Sequence, residues 1–267
     1  MSFARTLAIV LRQAYLIRGS SARVLPLFVW VAVDIVLWGF ITRYLDSVAA
    51  PGLNLVFSLL GAVLLWDFLV RVMQGVTMAF FEDVWSRNFL NVFSTPLSVT
   101  EYLSGLVVSS IATSAVGLTV MLVLAMAVFG LSFAAYGPMI VPSLLILFAS
   151  GIALGIFGSA IVLRKGPSAE WLIWPLPAMI SPFAGVFYPV ATLPPWMQLV
   201  AKLLPPAYVF EGMRAAVGGI GSALDGIAWG SGLAVLYVLL ACWFFARTYR
   251  HAVRTGLLAR YSAESVS

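Results

Sequence analysis

Three ionisable side chains lie inside long apolar runs, where a charge needs either a partner or a function. Asp34 lies in one run, and Asp67 and Arg71 lie in the next. Placing such a group in lipid costs roughly 2.5–3.5 kcal/mol or more, so these residues often mark ion or substrate paths. Asp67 and Arg71 are four residues apart, which predicts an ion pair on one helix face or at a subunit interface. Asp34 has no partner in its own run, and we expect it at a subunit interface or in a cavity.

Metal and nucleophile chemistry have little support in this sequence. A single cysteine, Cys242, excludes an internal disulfide, and a single histidine, His251, has no second histidine with which to share a metal. We therefore predict no metal site and no Ser-His-Asp hydrolase. The phosphate-binding pattern G-x-x-x-x-G-K-[ST] is absent, and the nearest segment, GSAIVLRKGPS at 158–168, has the wrong spacing. We expect no cofactor in this chain, so any ATP and Mg²⁺ would be bound by a partner.

The composition is that of an integral membrane protein. The chain is 62% hydrophobic and only 9% charged, against about 25% charged residues in soluble domains. Its net charge of +5 does not indicate nucleic-acid binding, because the arginines lie at the chain ends and beside the apolar runs. Membrane lipid is therefore an expected partner, and nucleic acid is not.

Six apolar segments are long enough to cross a bilayer, which requires about 20 residues. They are 24–42, 53–81, 102–129, 138–163, 171–190 and 224–246. Pro175, Pro177 and Pro182 predict that the fifth is kinked or broken. The run Gly151-x-x-x-Gly155-x-x-x-Ser159 predicts close helix packing in the fourth. We expect an all-α protein with a single transmembrane domain over 1–267, since no polar segment is long enough for a soluble domain.

Loop charges predict the orientation, because cytoplasmic loops are rich in arginine and lysine. With both termini cytoplasmic, only Arg43, Lys202 and Arg214 lie outside. The inside set is Arg5, Arg12, Arg18, Arg23, Arg87, Arg164, Lys165, Arg247, Arg250, Arg254 and Arg260. We expect a multi-pass protein of a bacterial-type cytoplasmic (inner) membrane.

Residues 1–23 precede the first span and have an amphipathic pattern. Phe3, Leu7 and Leu11 recur at helical spacing, while Arg5 and Arg12 fall on another face. This predicts an interfacial helix whose arginines bind anionic headgroups. The alternative is a cytoplasmic extension of the first span.

The loop at 82–100 predicts a short helix between the second and third spans. Its apolar residues are spaced i, i+4, i+7, i+8 and form one stripe, with polar residues on the remainder. Glu82 and Asp83 suit its N-terminal end, Thr95-Pro96 ends it, and Ser98 with Glu101 forms a capping box for the next span. It is either a simple connection in the interface or a helix presented to a cytoplasmic protein. The candidate contact residues are Trp85, Arg87, Asn88, Phe89, Val92 and Phe93.

Residues 191–219 predict two short helices at the outer end. Pro194 and Pro195 suit a helix start before Trp196, Leu204-Pro205-Pro206 interrupts it, and a second helix runs to Gly218-Gly219. Such helices either plug the outer end of the bundle or re-enter the outer leaflet as part of a gate. Glu211 and Arg214 are three apart and can pair. The candidate gate residues are Phe187, Tyr188, Pro194, Pro195, Trp196, Glu211 and Arg214.

Two segments resemble permeases of the type-2 ABC exporter family. SRNFLNVFSTPLSVTEYLSG at 86–105 is similar to the coupling helix that docks on the ATPase, and SPFAGVFYPVATLPPWMQLVAKLLPPAYVFEGMRAAVGG at 181–219 resembles the family signature between the last two spans. The resemblance implies a homodimer of permeases that is associated with two ATP-binding subunits. It also implies export of lipid-linked saccharides, lipids or drugs.

Two other function classes fit less well. A six-span channel or ion-coupled carrier would use Asp34, Asp67 and Arg71 as a polar relay and would need no ATPase. A membrane enzyme is weakly supported, because no acid–base cluster on one side is evident in the sequence.

Overall fold

A computed structural model gives the three-dimensional structure of the chain. It describes residues 2–19, 21–48, 59–86, 88, 91–92, 94–131, 137–218 and 223–257, and excludes the side chains of 21–24, 26–28, 217–218 and 223–225. Regular structure in these residues is helical throughout, with no strand. This confirms the all-α prediction.

The α-helices follow one another along the chain with short irregular connections. In order, they are α1 (Phe3–Arg18), α2 (Ser21–Val48), α3 (Gly61–Trp85), α4 (Val99–Phe129), α5 (Ile140–Lys165), α6 (Leu176–Ile180), α7 (Pro195–Ala201), α8 (Pro205–Gly218) and α9 (Ala223–Arg254). Short 3₁₀ helices cover 137–139, Pro167–Leu172 and Val190–Thr192.

Four helices of the described chain are long and apolar enough to cross a membrane. They are Gly61–Trp85, Val99–Phe129, Gly137–Lys165 and Gly226–Arg254. They correspond to the second, third, fourth and sixth predicted spans, and α2 covers the first with 28 residues. The count of six spans stays a prediction.

The predicted fifth span, 171–190, contains no single regular helix. The 3₁₀ helix Pro167–Leu172 leads into the five-residue α6, and turns follow to Pro189. Backbone hydrogen bonds alternate between three- and four-residue spacing, as in Leu176 N to Ile173 O and Met179 N to Pro175 O. The prolines cause this irregularity, because each lacks an N–H donor.

α3 is the central helix of the bundle and is buried on most of its surface. It packs against α4 and α5, and α5 packs in turn against α9. Phe80 and Phe81 of α3 are fully buried, as are Phe210 of α8 and Phe245 of α9. Ring contacts join these elements, including Phe80 with Phe245 at 5.9 Å.

The predicted close-packing face of α5 lies against α3. Cβ atoms added at Gly151 and Gly155 would lie 2.7 Å from the carbonyl oxygen of Leu69 and 2.8 Å from that of Met73. The two backbones therefore touch, and any side chain larger than hydrogen would separate them. Ser159 continues this face and is fully buried.

α2 has a narrower contact with the bundle. Val31 and Ile35 are buried in a second apolar cluster with Leu64 of α3 and Met121 of α4. Most other described apolar side chains of α2 are exposed, Trp30 by 62% and Phe40 by 56%. In a membrane, that surface faces lipid or another chain.

Candidate functional site

A groove of about 670 Å³ runs along α3 between α1, α2 and α4. Acidic, basic, amide and aromatic side chains all contribute to its wall. The lining residues are Gln13, Leu16, Ile17, Trp30, Asp34, Asp67, Val70, Arg71, Gln74, Gly75, Met78, Ala79, Glu82, Trp85, Ser109, Thr113, Ser114, Gly117 and Trp174. Its composition combines apolar surface with a few polar groups, as is typical of small-molecule sites.

The three intramembrane charges predicted from the sequence meet in this groove. Arg71 Nε donates to Asp67 Oδ2 at 2.7 Å within α3, and Arg71 Nη2 lies 3.9 Å from Asp34 Oδ2 of α2. The Arg71 side chain is 12% exposed and that of Asp34 is 40% exposed. Two carboxylates thus share one guanidinium, and Asp34 presents its partly exposed carboxylate to the groove.

Hydroxyl groups of α4 also line the groove. Thr113 bonds to the carbonyl oxygens of Ser109 and Ser110, each at 3.2 Å. The Oγ of Ser114 is buried and has no hydrogen-bond partner in the described structure. A buried hydroxyl in this position can bind a polar group that enters the groove.

Asp83 fastens α1 and α4 to the last turn of α3. Its Oδ2 accepts a 2.7 Å hydrogen bond from the Tyr102 hydroxyl, and its Oδ1 forms a short ion pair with Arg12. Gln13 adds a 3.2 Å bond to the carbonyl oxygen of Ala79. The prediction that Asp83 starts a helix is wrong, because Asp83 lies near the end of α3.

Glu101 fastens the N-terminus of the chain to the start of α4. Its carboxylate accepts from the backbone N–H of Ser98 at 2.9 Å and of Ser2 at 2.6 Å, and Arg5 lies 3.5 Å away. Ser98 accepts in turn from the Glu101 N–H, which completes the capping box that the sequence predicts. Arg5 and Arg12 therefore pair with protein carboxylates, although the Arg5 side chain stays about half exposed. Contact of these arginines with lipid headgroups stays a prediction. The helical prediction for this segment is confirmed by α1.

Trp85 is the last residue of α3 and does not begin a separate helix. Its indole N–H donates to Glu170 Oε2 at 3.0 Å, and its ring packs 5.7 Å from Phe81. The sequence predicts that Trp85 and Val92 share one continuous helical stripe. This prediction is wrong, because the chain leaves the helix at Ser86.

The rest of the loop is described only in part. Val92 is buried in a helical turn with Asn91, whose side chain donates to the Asn88 oxygen at 3.0 Å. Arg87, Phe89 and Phe93 lie outside the described residues.

At the other end of the bundle, Arg214 joins α8 to the loop at 185–190. Arg214 Nη2 lies 2.8 Å from Glu211 Oε1 and donates to the carbonyl oxygen of Gly185 at 2.7 Å. Glu211 also accepts from the Val190 N–H at 2.8 Å. Gly185 has φ of +60°, a conformation that side-chain-bearing residues rarely adopt. The predicted Glu211–Arg214 pair is thus part of a larger network.

Aromatic contacts place the other predicted gate residues around this network. Phe187 stacks on Trp38 of α2 with ring centres 5.6 Å apart, and Trp196 contacts Phe183 at 6.0 Å. The Tyr188 hydroxyl donates to the Pro182 carbonyl at 2.8 Å. Pro194 caps α7 and Pro195 is its first residue, as the sequence predicts.

Several site residues were not identified from the sequence. Tyr102 donates to Asp83, Glu170 accepts from Trp85, and Trp174 lines the groove. The partners of Asp83 lie 71 and 19 residues away in the chain, so no local spacing signals them. The one signal in the sequence is the position of Asp83 just after a long apolar run, where a carboxylate is expected to need a partner.

Comparison with known proteins identifies the family. A search among curated proteins gives no match. The family model for ABC-2 type transporters matches residues 20–217, which include α3, the Arg214 network and all of the groove lining except its α1 residues. The chain therefore belongs to the ABC-2 type transporter family and is a multi-pass membrane protein.

Proposed function

We propose that this chain is the permease subunit of an ATP-driven exporter that moves an amphiphile out of the cytoplasm or the inner leaflet. The family implies association with an ATP-binding cassette ATPase. In the proposed assembly, two copies of this chain form a homodimer with two ATPase subunits, which bind ATP and Mg²⁺. The proposal includes six spans, both termini in the cytoplasm and a place in the inner membrane.

The groove is the observation that supports this function most directly. It extends from Asp67 to Trp85, which corresponds to about 27 Å along a helix at 1.5 Å per residue. It therefore links the intramembrane charges to the end of α3 where the coupling loop begins. A path of that length is comparable with the hydrocarbon thickness of a bilayer, about 30 Å.

The groove wall suits an amphiphile better than a simple ion. Trp30, Trp174 and Met78 supply apolar surface, while Gln74 and Thr113 supply polar groups along the same cavity. An amphiphile can place its polar part against Asp34 and Arg71 and its apolar part against the rings. This arrangement supports a lipid-linked saccharide, a lipid or a drug as cargo.

The clamp around Asp83 provides a means of coupling to the ATPase. Arg12, Asp83 and Tyr102 join α1, α3 and α4 near the loop at 86–98. A force that an ATPase applies to this loop would therefore move three helix ends together and change the groove width. We assign Trp85, Arg87, Asn88, Phe89, Val92 and Phe93 to this contact region.

The Arg214 network supports a gate at the other end. Phe187 contacts α2 through Trp38, while Gly185 and Val190 are held to α8 through Arg214 and Glu211. Displacement of α2 would separate Phe187 from Trp38 and open the groove on that side. Tyr188, Pro194, Pro195 and Trp196 would line the opening.

Purification with the native partner tests this function. The tagged chain is extracted from its own cells in mild detergent, reconstituted in liposomes and assayed with fluorescent phospholipids and lipophilic dyes. We expect an ATPase to copurify and transport to require ATP. Arg71→Gln should reduce transport severalfold, whereas Arg43→Gln, outside the groove, should not. Transport by the chain alone without ATP would contradict the proposal.

The meeting of Asp34, Asp67 and Arg71 also favours a second candidate, an ion-coupled carrier. Two carboxylates beside one arginine can bind and release a proton or cation during transport. A carrier would respond to an imposed pH or ion gradient in liposomes that contain no ATPase. The absence of any such response would eliminate this candidate.

A further inference from the structure

A second cavity lies between the C-terminal ends of α5 and α9, apart from the groove. Its volume is about 510 Å³. Arginine is the dominant side chain of its wall. The lining residues are Arg164, Trp243, Phe244, Arg247, Thr248, Arg250, His251 and Arg254.

No carboxylate neutralises these arginines within the described chain. Arg247 lies over the Trp243 ring at 5.8 Å, and Arg250 donates to its own helix at the Ala246 carbonyl, 3.3 Å away. Neither these two nor Arg164 and Arg254 forms an ion pair with a described residue. Four like charges around one cavity repel one another, so an anion bound between them would lower the free energy of the folded state.

The chemistry of the wall favours phosphate. Guanidinium groups match phosphate oxygens with two parallel hydrogen bonds, and several can bind one group. Arg247, Arg250 and Arg254 recur at i, i+3 and i+7, so they lie on one face of α9. Arg164 approaches from α5, which allows one anion to bridge two helices.

The surface of α9 next to the cavity indicates that this phosphate belongs to a lipid. Leu236, Leu240 and Trp243 recur at i, i+4 and i+7 and continue into the arginine face at Arg247. Their exposed fractions are 47%, 49% and 57%, and Leu239 beside them is 62% exposed. An apolar strip thus leads into the basic cavity, as acyl chains and a headgroup require.

We propose that this cavity binds the phosphate of an anionic phospholipid, whose acyl chains lie along Leu236, Leu239 and Leu240. The lipid joins α5 to α9 through Arg164 on one side and Arg247 and Arg250 on the other. This inference stands apart from the proposed transport function, because it needs neither an ATPase nor a substrate.

Lipid retention by the full chain tests the proposal. Delipidated protein is loaded with phosphatidylglycerol or phosphatidylcholine of the same acyl chains, and bound lipid is counted by native mass spectrometry. We expect selective retention of phosphatidylglycerol. Since each arginine near a membrane surface contributes about a fivefold gain in anionic-lipid affinity, Arg247→Gln with Arg250→Gln should weaken it roughly 25-fold.

Matched variants separate this site from general surface charge. Lys165→Gln removes a positive charge next to Arg164, but Lys165 does not line the cavity, so this variant should weaken retention by no more than about fivefold, far less than the double variant. If the glutamine variant folds poorly, Arg247→Lys with Arg250→Lys replaces it in the assay. This variant keeps both positive charges but loses the paired guanidinium hydrogen bonds, so it should retain only part of the affinity. Equal retention of the two lipids, or an equal loss with Lys165→Gln, would overturn the proposal.

A competition assay distinguishes a lipid from a free anion. Inorganic phosphate and glycerophosphoglycerol, which lacks acyl chains, are added to the phosphatidylglycerol complex. We expect neither to displace the lipid at millimolar concentration, and Leu239→Gln to weaken lipid retention severalfold. Displacement by either soluble compound would show that a free phosphate group suffices and would overturn the lipid assignment.

Discussion

The Asp83 carboxylate accepts a 2.7 Å hydrogen bond from the hydroxyl of Tyr102, and both side chains are buried. The bond joins the end of α3 to the start of α4 across the loop between them. Arg12 adds an ion pair from α1 to the same carboxylate. One aspartate therefore determines how three helices meet at this end of the bundle.

Removal of either partner of Asp83 should destabilise this end. Tyr102→Phe deletes one hydrogen bond and should cost about 1–3 kcal/mol. Arg12→Gln leaves a buried carboxylate without its counter-ion and should cost more, roughly 3–5 kcal/mol. Thermal unfolding of the full chain in detergent measures the order of these effects, and hydrogen exchange should show faster opening of α1.

Arg18→Gln is the matched control for this prediction, because Arg18 is an exposed arginine in the last turn of α1. It should leave the unfolding temperature unchanged. If Arg12→Gln and Arg18→Gln unfold alike, the ion pair with Asp83 contributes little to stability.

The Asp67–Arg71 pair should show energetic coupling. Asp67→Asn and Arg71→Gln each leave a charged group without its nearest partner, whereas the double variant removes both charges. The combined effect on stability and transport should therefore be smaller than the sum of the single effects by about 0.5–3 kcal/mol. Strictly additive effects would show that the pair is not a functional unit.

Alanine at either glycine of α5 should force α3 and α5 apart. Gly151→Ala and Gly155→Ala each place a methyl group under 3.0 Å from a backbone oxygen of α3. We expect a loss of about 1–3 kcal/mol in unfolding free energy for each. Gly232→Ala in α9 has no atom within 4 Å of the added methyl, so it should be neutral or stabilising. A loss at Gly232 equal to that at Gly151 would contradict this explanation.

Replacement of Trp85 tests the coupling end of the proposed exporter. Trp85→Phe removes the bond to Glu170 but keeps an aromatic ring beside Phe81. Trp85→Ala with Phe89→Ala should abolish ATPase binding while the helices stay folded, as judged by copurification and circular dichroism. Trp85→Phe should have a smaller effect, and Trp229→Phe, at an exposed site on α9, should have none. Full complex formation and transport in the alanine variant would contradict the coupling role.

Features whose two partners lie within a few residues of each other could be predicted from sequence spacing alone. The Asp67–Arg71 pair, the Ser98–Glu101 capping box and the start of α7 at Pro195 all follow from intervals of at most four residues. Such features depend on helix geometry alone. The long apolar runs likewise predict helices, because lipid requires every backbone group to be bonded within its own segment.

The sequence was misleading where a distant partner changes the outcome. The polar residues Glu82 and Asp83 predict that the second span ends before them. In the structure, Arg12 and Tyr102 bind the Asp83 carboxylate, and α3 continues to Trp85. Trp85 consequently shares a helix face with Phe81, four residues before it. Helical periodicity gives the spacing of a stripe, but it does not show where the helix begins.

The contact of α5 with α3 has a mechanical consequence. At Gly151 and Gly155, backbone meets backbone, so no rotamer change can absorb a sliding motion between these helices. The two helices are therefore held in one axial register. α2, by contrast, is held by a narrow apolar strip around Val31 and Ile35, whose side chains can re-pack. When this bundle changes shape, we therefore expect α2 to move while α3 and α5 keep their positions relative to each other.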